Sequence, residues 1–156
     1  MKRFLRRAVF VLLALFVLIQ FVPYGRDHSN PPGRIEPAWD APETRDLAKR
    51  ACFDCHSNET VWPWYSHVAP ASWLVQKDVD KGRSELNFSE FDRPQKEAHE
   101  AAEKVEKGQM PLKNYLPLHP EARLSAAEKA TLVAGLTATL GGAEGGHGEE
   151  EGAEVD

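Results

Sequence analysis

Fourteen of the fifteen residues from Ala8 to Val22 are apolar, Gln20 being the exception, and this segregation limits what the rest of the chain can build. The 156-residue sequence is 42% apolar, but outside that run the share falls to about 37%, a lean supply for a domain that must fill its own core. Something besides side chains is therefore expected inside the fold. Lys2, Arg3, Arg6 and Arg7 precede the run, and basic flanks stay on the cytoplasmic side of a membrane, so residues beyond Val22 are expected on the outer side. Fifteen helical residues reach only about 22 Å against about 30 Å of hydrocarbon. Phe4, Leu5 and Tyr24 extend the apolar stretch, and no small-x-small cleavage site follows Phe21-Val22-Pro23-Tyr24. The reading is a basic cytoplasmic segment at 1–7 and a transmembrane anchor or signal segment at 8–24, the anchor being preferred.

The net charge of −5 is set by the C-terminus, because residues 141–156 hold six acids and no Lys or Arg. That Gly/Glu-rich stretch reads as a disordered acidic tail. Without it the balance is near neutral, and four of the 19 basic residues crowd the first seven positions. No basic stripe remains for nucleic acid. Residues 25–40, with Pro31-Pro32-Gly33, read as an extended tether.

Hydrophobic period returns after the tether and is helical throughout. Asp40 and Glu43 form a capping-box pattern for a helix from Ala41 to Cys55, with Leu47, Ala48, Ala51, Cys52 and Cys55 on one face. A second helix is expected from Ala71 to Lys81, opened by Pro70 and stopped by Gly82. Asp92 and Gln95 suggest a third over Pro94–Lys107, with Ala98, Ala101, Ala102 and Val105 inward and Gly108 ending it. Ser125 and Glu128 cap a last helix with Leu132, Val133, Leu136 and Leu140 on one stripe. The domain at 41–140 is predicted to be all-α.

Only two cysteines occur, in the order Cys52-Phe53-Asp54-Cys55-His56, and Cys-x-x-Cys-His is the motif of c-type haem attachment. Residues three and four apart share a helix face, so two thiols can add to the two vinyl groups of one porphyrin while His56 binds its iron. A thioredoxin-like dithiol wants a βαβ context, which is lacking. Zinc wants a second ligand pair, and none is evident. For the sixth iron position Met110 is the candidate, in Gly108-Gln109-Met110-Pro111 before the capped last helix; a thioether there favours Fe(II) and raises the potential. The bland alternative is a Met filling a core gap. His67, His99 and His119 are rivals, with His67 the most serious and His99 expected in solvent among charges; His28 and His147 fall in tether and tail. Trp62, Trp64, Tyr65 and Trp73 are expected to wall the haem, the alternative being an exposed docking patch. Arg83 and Lys113 are candidates for pairing with haem propionates.

Together, Ala51-Cys52-Phe53-Asp54-Cys55-His56-Ser57-Asn58-Glu59-Thr60, Trp62-Pro63-Trp64-Tyr65-Ser66, Ala69-Pro70-Ala71-Ser72-Trp73-Leu74, Gly82-Arg83 and Leu86-Asn87-Phe88-Ser89 resemble the bacterial haem-binding domain family. The likeness continues through Met110-Pro111, Tyr115, His119-Pro120 and Leu124-Ser125, covering about Pro42 to Leu140. It implies a small, membrane-anchored, exported c-type cytochrome domain with haem on Cys52 and Cys55 and His56 as proximal ligand. The Met-Pro loop is similar to that of ordinary cytochromes c, which supports Met110 as distal ligand. Phe91 stands where the family pattern often has Trp.

The expected protein is thus a cytochrome c-like helical domain around one covalent haem c and its iron. It would act as a one-electron carrier rather than an enzyme, held by a single-pass anchor in a bacterial inner membrane with the haem domain in the periplasm or outside the cell. Its partners would be the membrane and a redox protein that the sequence does not identify. Two other readings are a haem-based sensor with an open or labile sixth site, and a peroxidase-like protein using His67 and Arg83.

Overall fold

The computed structural model describes residues 1–141; the acidic tail expected at 141–156 lies, apart from Gly141, outside the described residues. Helix α1 spans Lys2–Ile19, α2 Pro42–Ala51, α3 Phe53–His56, α4 Ala71–Glu85, α5 Ala101–Glu106 and α6 Ala126–Leu140, with single 3₁₀ turns at Trp64–His67, Ala98–Glu100 and Pro120–Ala122. Among the described residues the only β pairing is one isolated parallel bridge, Ile35 to Glu90. The all-α expectation is met.

The core lies where α2, α5 and α6 meet the loop after α4. Leu47, Phe53, Leu86, Phe88, Val105, Leu132, Leu136 and Leu140 are buried together, each large side chain contributing about 1.5–3 kcal/mol by leaving water. Phe88 is the hub of an aromatic cluster, with ring centroids 5.5 Å from Phe53, 5.1 Å from Trp39 and 6.4 Å from Phe91. Phe91 therefore serves the core. In α6, Gly135 faces Thr44 of α2 so closely that a Cβ would overlap the threonine side chain. The glycine sets the approach of the two helices.

Local signals were followed where no stronger tertiary contact competed. The Ser125–Glu128 capping box forms in full at the head of α6. At α2 the N-cap is Ala41 without a side-chain bond, because Asp40 is engaged by Thr139 of α6. The first helix breaks at Cys52, whose φ of −126° leaves the helical region, and resumes as α3. Helix α4 runs four residues past Lys81, through Gly82. The third expected helix shrinks to the 3₁₀ turn and α5, since Gln95 accepts from the Asn87 N–H and donates to the carbonyls of Glu90 and Arg93. That bonding keeps residues 94–97 out of a helix.

The N-terminal transmembrane anchor is not supported. Helix α1 has 18 residues, about 27 Å of rise, but four of them are the basic residues up to Arg7, and among the described residues no helix is long and apolar enough to cross a membrane. The helix ends where Gln20 turns to the domain, its side chain accepting from the Ala69 N–H and donating to the Ala69 carbonyl, each at 3.0 Å. Nor does the segment read as a tether hang free. His28 stacks on Trp62 at 4.5 Å, Asn30 donates to the Thr60 carbonyl, and the Arg34 N–H donates to the Ser89 carbonyl. The segment is strapped along the domain.

Candidate functional site

The Cys-x-x-Cys-His sequence occupies the junction of α2 and α3. The Cys52 N–H still donates to Ala48, closing α2, while the Cys52 carbonyl accepts from Cys55 at 3.1 Å and His56 at 2.9 Å. This short turn carries Cys52, Cys55 and His56 to one apolar cavity of about 300 Å³. Helix α4 forms the adjoining wall with Val75, Val79 and Gly82, and the segment after α5 closes it with Met110, Leu112 and Tyr115. Gly82 is required by contact, because a Cβ would strike the Cys55 carbonyl. A glycine that reads as a helix stop is instead the point where α4 presses on the cysteine turn.

Electrostatics distinguish this site from a redox dithiol. Both cysteines are free. Burial pushes each thiol up to about 12, with the negative Asp54 adding to the effect at Cys55. A reactive dithiol needs the opposite shift. Among the described residues no group of three His, Cys, Asp or Glu side chains converges to hold a bare metal ion. His56 carries the arrangement of a metal-binding imidazole. Its Nδ1 lies 3.0 Å from the Leu86 carbonyl, which accepts only, so Nδ1 holds the proton and Nε2 the lone pair. Burial, the leading cause, also lowers the His56 pKa and favours the neutral ring that binds iron.

The four expected sixth-ligand candidates separate clearly. Met110 lies on the cavity lining and packs against the core as well. His119 also reaches the lining, but its Nε2 is 2.6 Å from the Tyr65 hydroxyl and its Nδ1 3.0 Å from Glu121. Both of its nitrogens are engaged. His67 stands off the cavity, edge-on to His28 at 4.4 Å, and His99 is exposed beside Glu100.

Of the four aromatic residues expected around the haem, only Tyr65 lines the cavity. Trp62 stacks on His28 and has the Arg83 guanidinium over its ring at 6.0 Å, Trp64 is 78% exposed, and Trp73 of α4 is off the lining. Arg83 is not available to propionates, because it donates to Ser57, Ser29, Asn30 and Thr60 at 2.8–3.0 Å. Lys113 is likewise off the lining. The rim cations are Lys81 and Lys104, and Lys104 is paired with Glu97 and Glu100.

Tyr115 and Asp54 carry more of the site than the sequence reading assigned them. The Tyr115 hydroxyl donates to Asp54 Oδ2 at 2.5 Å, and its ring stacks on His119 at 3.8 Å. Burial and this bond raise the Tyr115 pKa, so the phenol keeps its proton. The available signal was the spacing of Leu112, Tyr115 and His119, three and then four apart, which puts them on one side of a helical turn.

An apolar cavity with two unpaired thiols and an oriented neutral histidine at its edge defines a haem-binding protein. The model of the family described as haem-binding domain matches residues 14–138, and the chain belongs to that family. No curated protein and no solved structure matches it.

Proposed function

We propose that this domain is a monohaem c-type cytochrome that passes single electrons outside the cytoplasm. The observation that carries the reading is the convergence of Cys52, Cys55, His56 and Met110 on one apolar cavity. Cys52 and Cys55 would hold the haem as thioethers, and His56 Nε2 and the Met110 sulfur would bind its iron. Bound there, the haem supplies a reversible Fe(III)/Fe(II) couple, which a thioether ligand raises in potential. Leu86 orients the histidine, Val79, Leu112 and Leu136 exclude water, and Lys81 replaces Arg83 and Lys113 as the cation for a propionate. With His56 and Met110 both taken up by the iron no position would be left for a substrate, and the protein would act as a carrier rather than an enzyme.

The basic residues before Arg7 and the apolar run after them support export across a bacterial inner membrane, with the cavity on the periplasmic or outer side. The partner would be a second redox protein that meets the haem edge. Export in a host that matures c-type haem, followed by denaturing electrophoresis and a haem stain, tests the attachment. Haem should remain with the wild-type chain and be absent from the Cys52→Ala/Cys55→Ala double variant. Covalent haem in that double variant would overturn the reading.

A further inference from the structure

Where the strap crosses the domain it brings two histidines together, and neither of them lines the haem cavity. His28 of the strap meets His67, the last residue of the 3₁₀ turn Trp64–His67, with ring centroids 4.4 Å apart and planes at 79°. The His28 Nε2 is 3.0 Å from the Ser66 carbonyl, which only accepts, so Nε2 carries the ring proton and Nδ1 the lone pair. Stacking on Trp62 at 4.5 Å fixes the ring, and Arg83 fixes the chain beside it by bonding the Ser29 carbonyl and the Asn30 side chain. A carbonyl that takes the proton side of an imidazole and leaves the other nitrogen bare is the usual support of a metal-ligating histidine. His56 has the same support from Leu86. His67 is exposed, and among the described residues neither of its ring nitrogens, nor His28 Nδ1, has a hydrogen-bond partner. Two imidazoles bound to one ion at about 2 Å and at a right angle have centroids about 4.5 Å apart. The pair already stands at 4.4 Å.

We propose that His28 and His67 form a second metal site, which takes an exchangeable divalent ion of the imidazole-preferring class, Cu(II), Ni(II) or Zn(II), and thereby clips the strap to the domain. Imidazole nitrogen suits these ions. His28 supplies Nδ1, whose direction the Ser66 carbonyl and Trp62 already set, and His67, free of hydrogen bonds, turns a ring nitrogen to the same ion. Water fills the other positions, because among the described residues no third His, Cys, Asp or Glu joins the pair. With two protein ligands the ion is exchangeable rather than resident. It binds only while the strap is docked, so it stabilises the docked strap by mass action. No haem enters the site, and the proposal stands or falls apart from the proposed function.

Two measurements on the full chain test the proposal, with Ni(II) as the probe because it does not oxidise thiols. In the first, Ni(II) is titrated by calorimetry and the loaded protein is examined by nickel X-ray absorption. Wild type should take up an equivalent of Ni(II) with scattering from two imidazoles. That equivalent should be lost in His28→Gln and in His67→Gln, the latter an exposed change that breaks no hydrogen bond and leaves folding intact, and kept in His147→Gln. In the second, limited proteolysis between residues 25 and 35 is followed with and without the ion. Ni(II) should slow cleavage severalfold in wild type and give His67→Gln no protection. Uptake unchanged in His67→Gln, sulfur in place of imidazole around the nickel, no uptake by wild type, or cleavage of wild type indifferent to Ni(II) would each overturn the proposal.

Discussion

At the scale of single residues, the site depends on which atoms are already engaged. His119 has both nitrogens in hydrogen bonds, whereas the Met110 thioether borders the cavity and its sulfur has no hydrogen bond among the described residues. Met110→Ala is therefore expected to lower the reduction potential and admit carbon monoxide to the iron. Potentiometry and the reduced spectrum under carbon monoxide check this, and wild-type behaviour in both would remove Met110 from the iron. Tyr115 acts by position. Tyr115→Phe leaves Asp54 Oδ2 without its donor in a partly buried setting, while Oδ1 keeps the Val61 N–H, which should cost about 1–3 kcal/mol of stability, read by urea denaturation. The Cys-x-x-Cys-His spacing and the thioether candidate were legible in the chain because their chemistry is carried by residue type. The role of Asp54 was not, since its partner is 61 positions away.

At the scale of elements, two close approaches and one cap govern how the helices meet. Gly135→Ala would drive a methyl group into Thr44 and push α6 from α2, an overpacking expected to cost about 1–3 kcal/mol and visible in thermal denaturation. The Ser125–Glu128 box is a local device, and Ser125→Ala should cost about 1 kcal/mol by freeing an orphan N–H of α6. Glu128 also bonds Arg50, and together the Ser125 N–H and Arg50 hold its carboxyl down to about 2 in the folded chain. A depressed folded pKa means the contribution is present above the ordinary Glu value of about 4.3 and is lost as pH falls toward 2. Glu128→Gln should accordingly flatten the acid limb of a stability-pH profile and leave the alkaline limb unchanged. Capping at α6 was readable because donor and acceptor are three residues apart. At Asp40 the same pattern misled, because Thr139 of α6 captures the side chain that would have capped α2.

At the scale of the whole molecule, the chain before the domain is part of its surface. Arg83 joins three segments through its guanidinium, reaching the strap at Ser29 and Asn30, the turn after His56 at Ser57, and Thr60. Its carbonyl is held in turn by Arg93. Arg83→Ala should release the strap and increase limited proteolysis between residues 25 and 35, while the haem spectrum stays as in wild type. A changed spectrum with an unchanged cleavage pattern would instead restore Arg83 to the cofactor.

The sequence by itself determined the Cys-x-x-Cys-His spacing, the all-helical class, the α6 cap and the lean supply of apolar side chains, all being matters of composition or of residues within one helical turn. Tertiary structure alone decided that Gly82 is a contact rather than a stop, that three of the four aromatics expected around the haem lie off the cavity lining, and that Arg83 binds the strap. Each depends on pairs far apart in the chain, such as Gly82 with Cys55 and Trp62 with His28. Packing chooses among several faces that local periodicity makes equally available, and only the folded chain shows which face meets which.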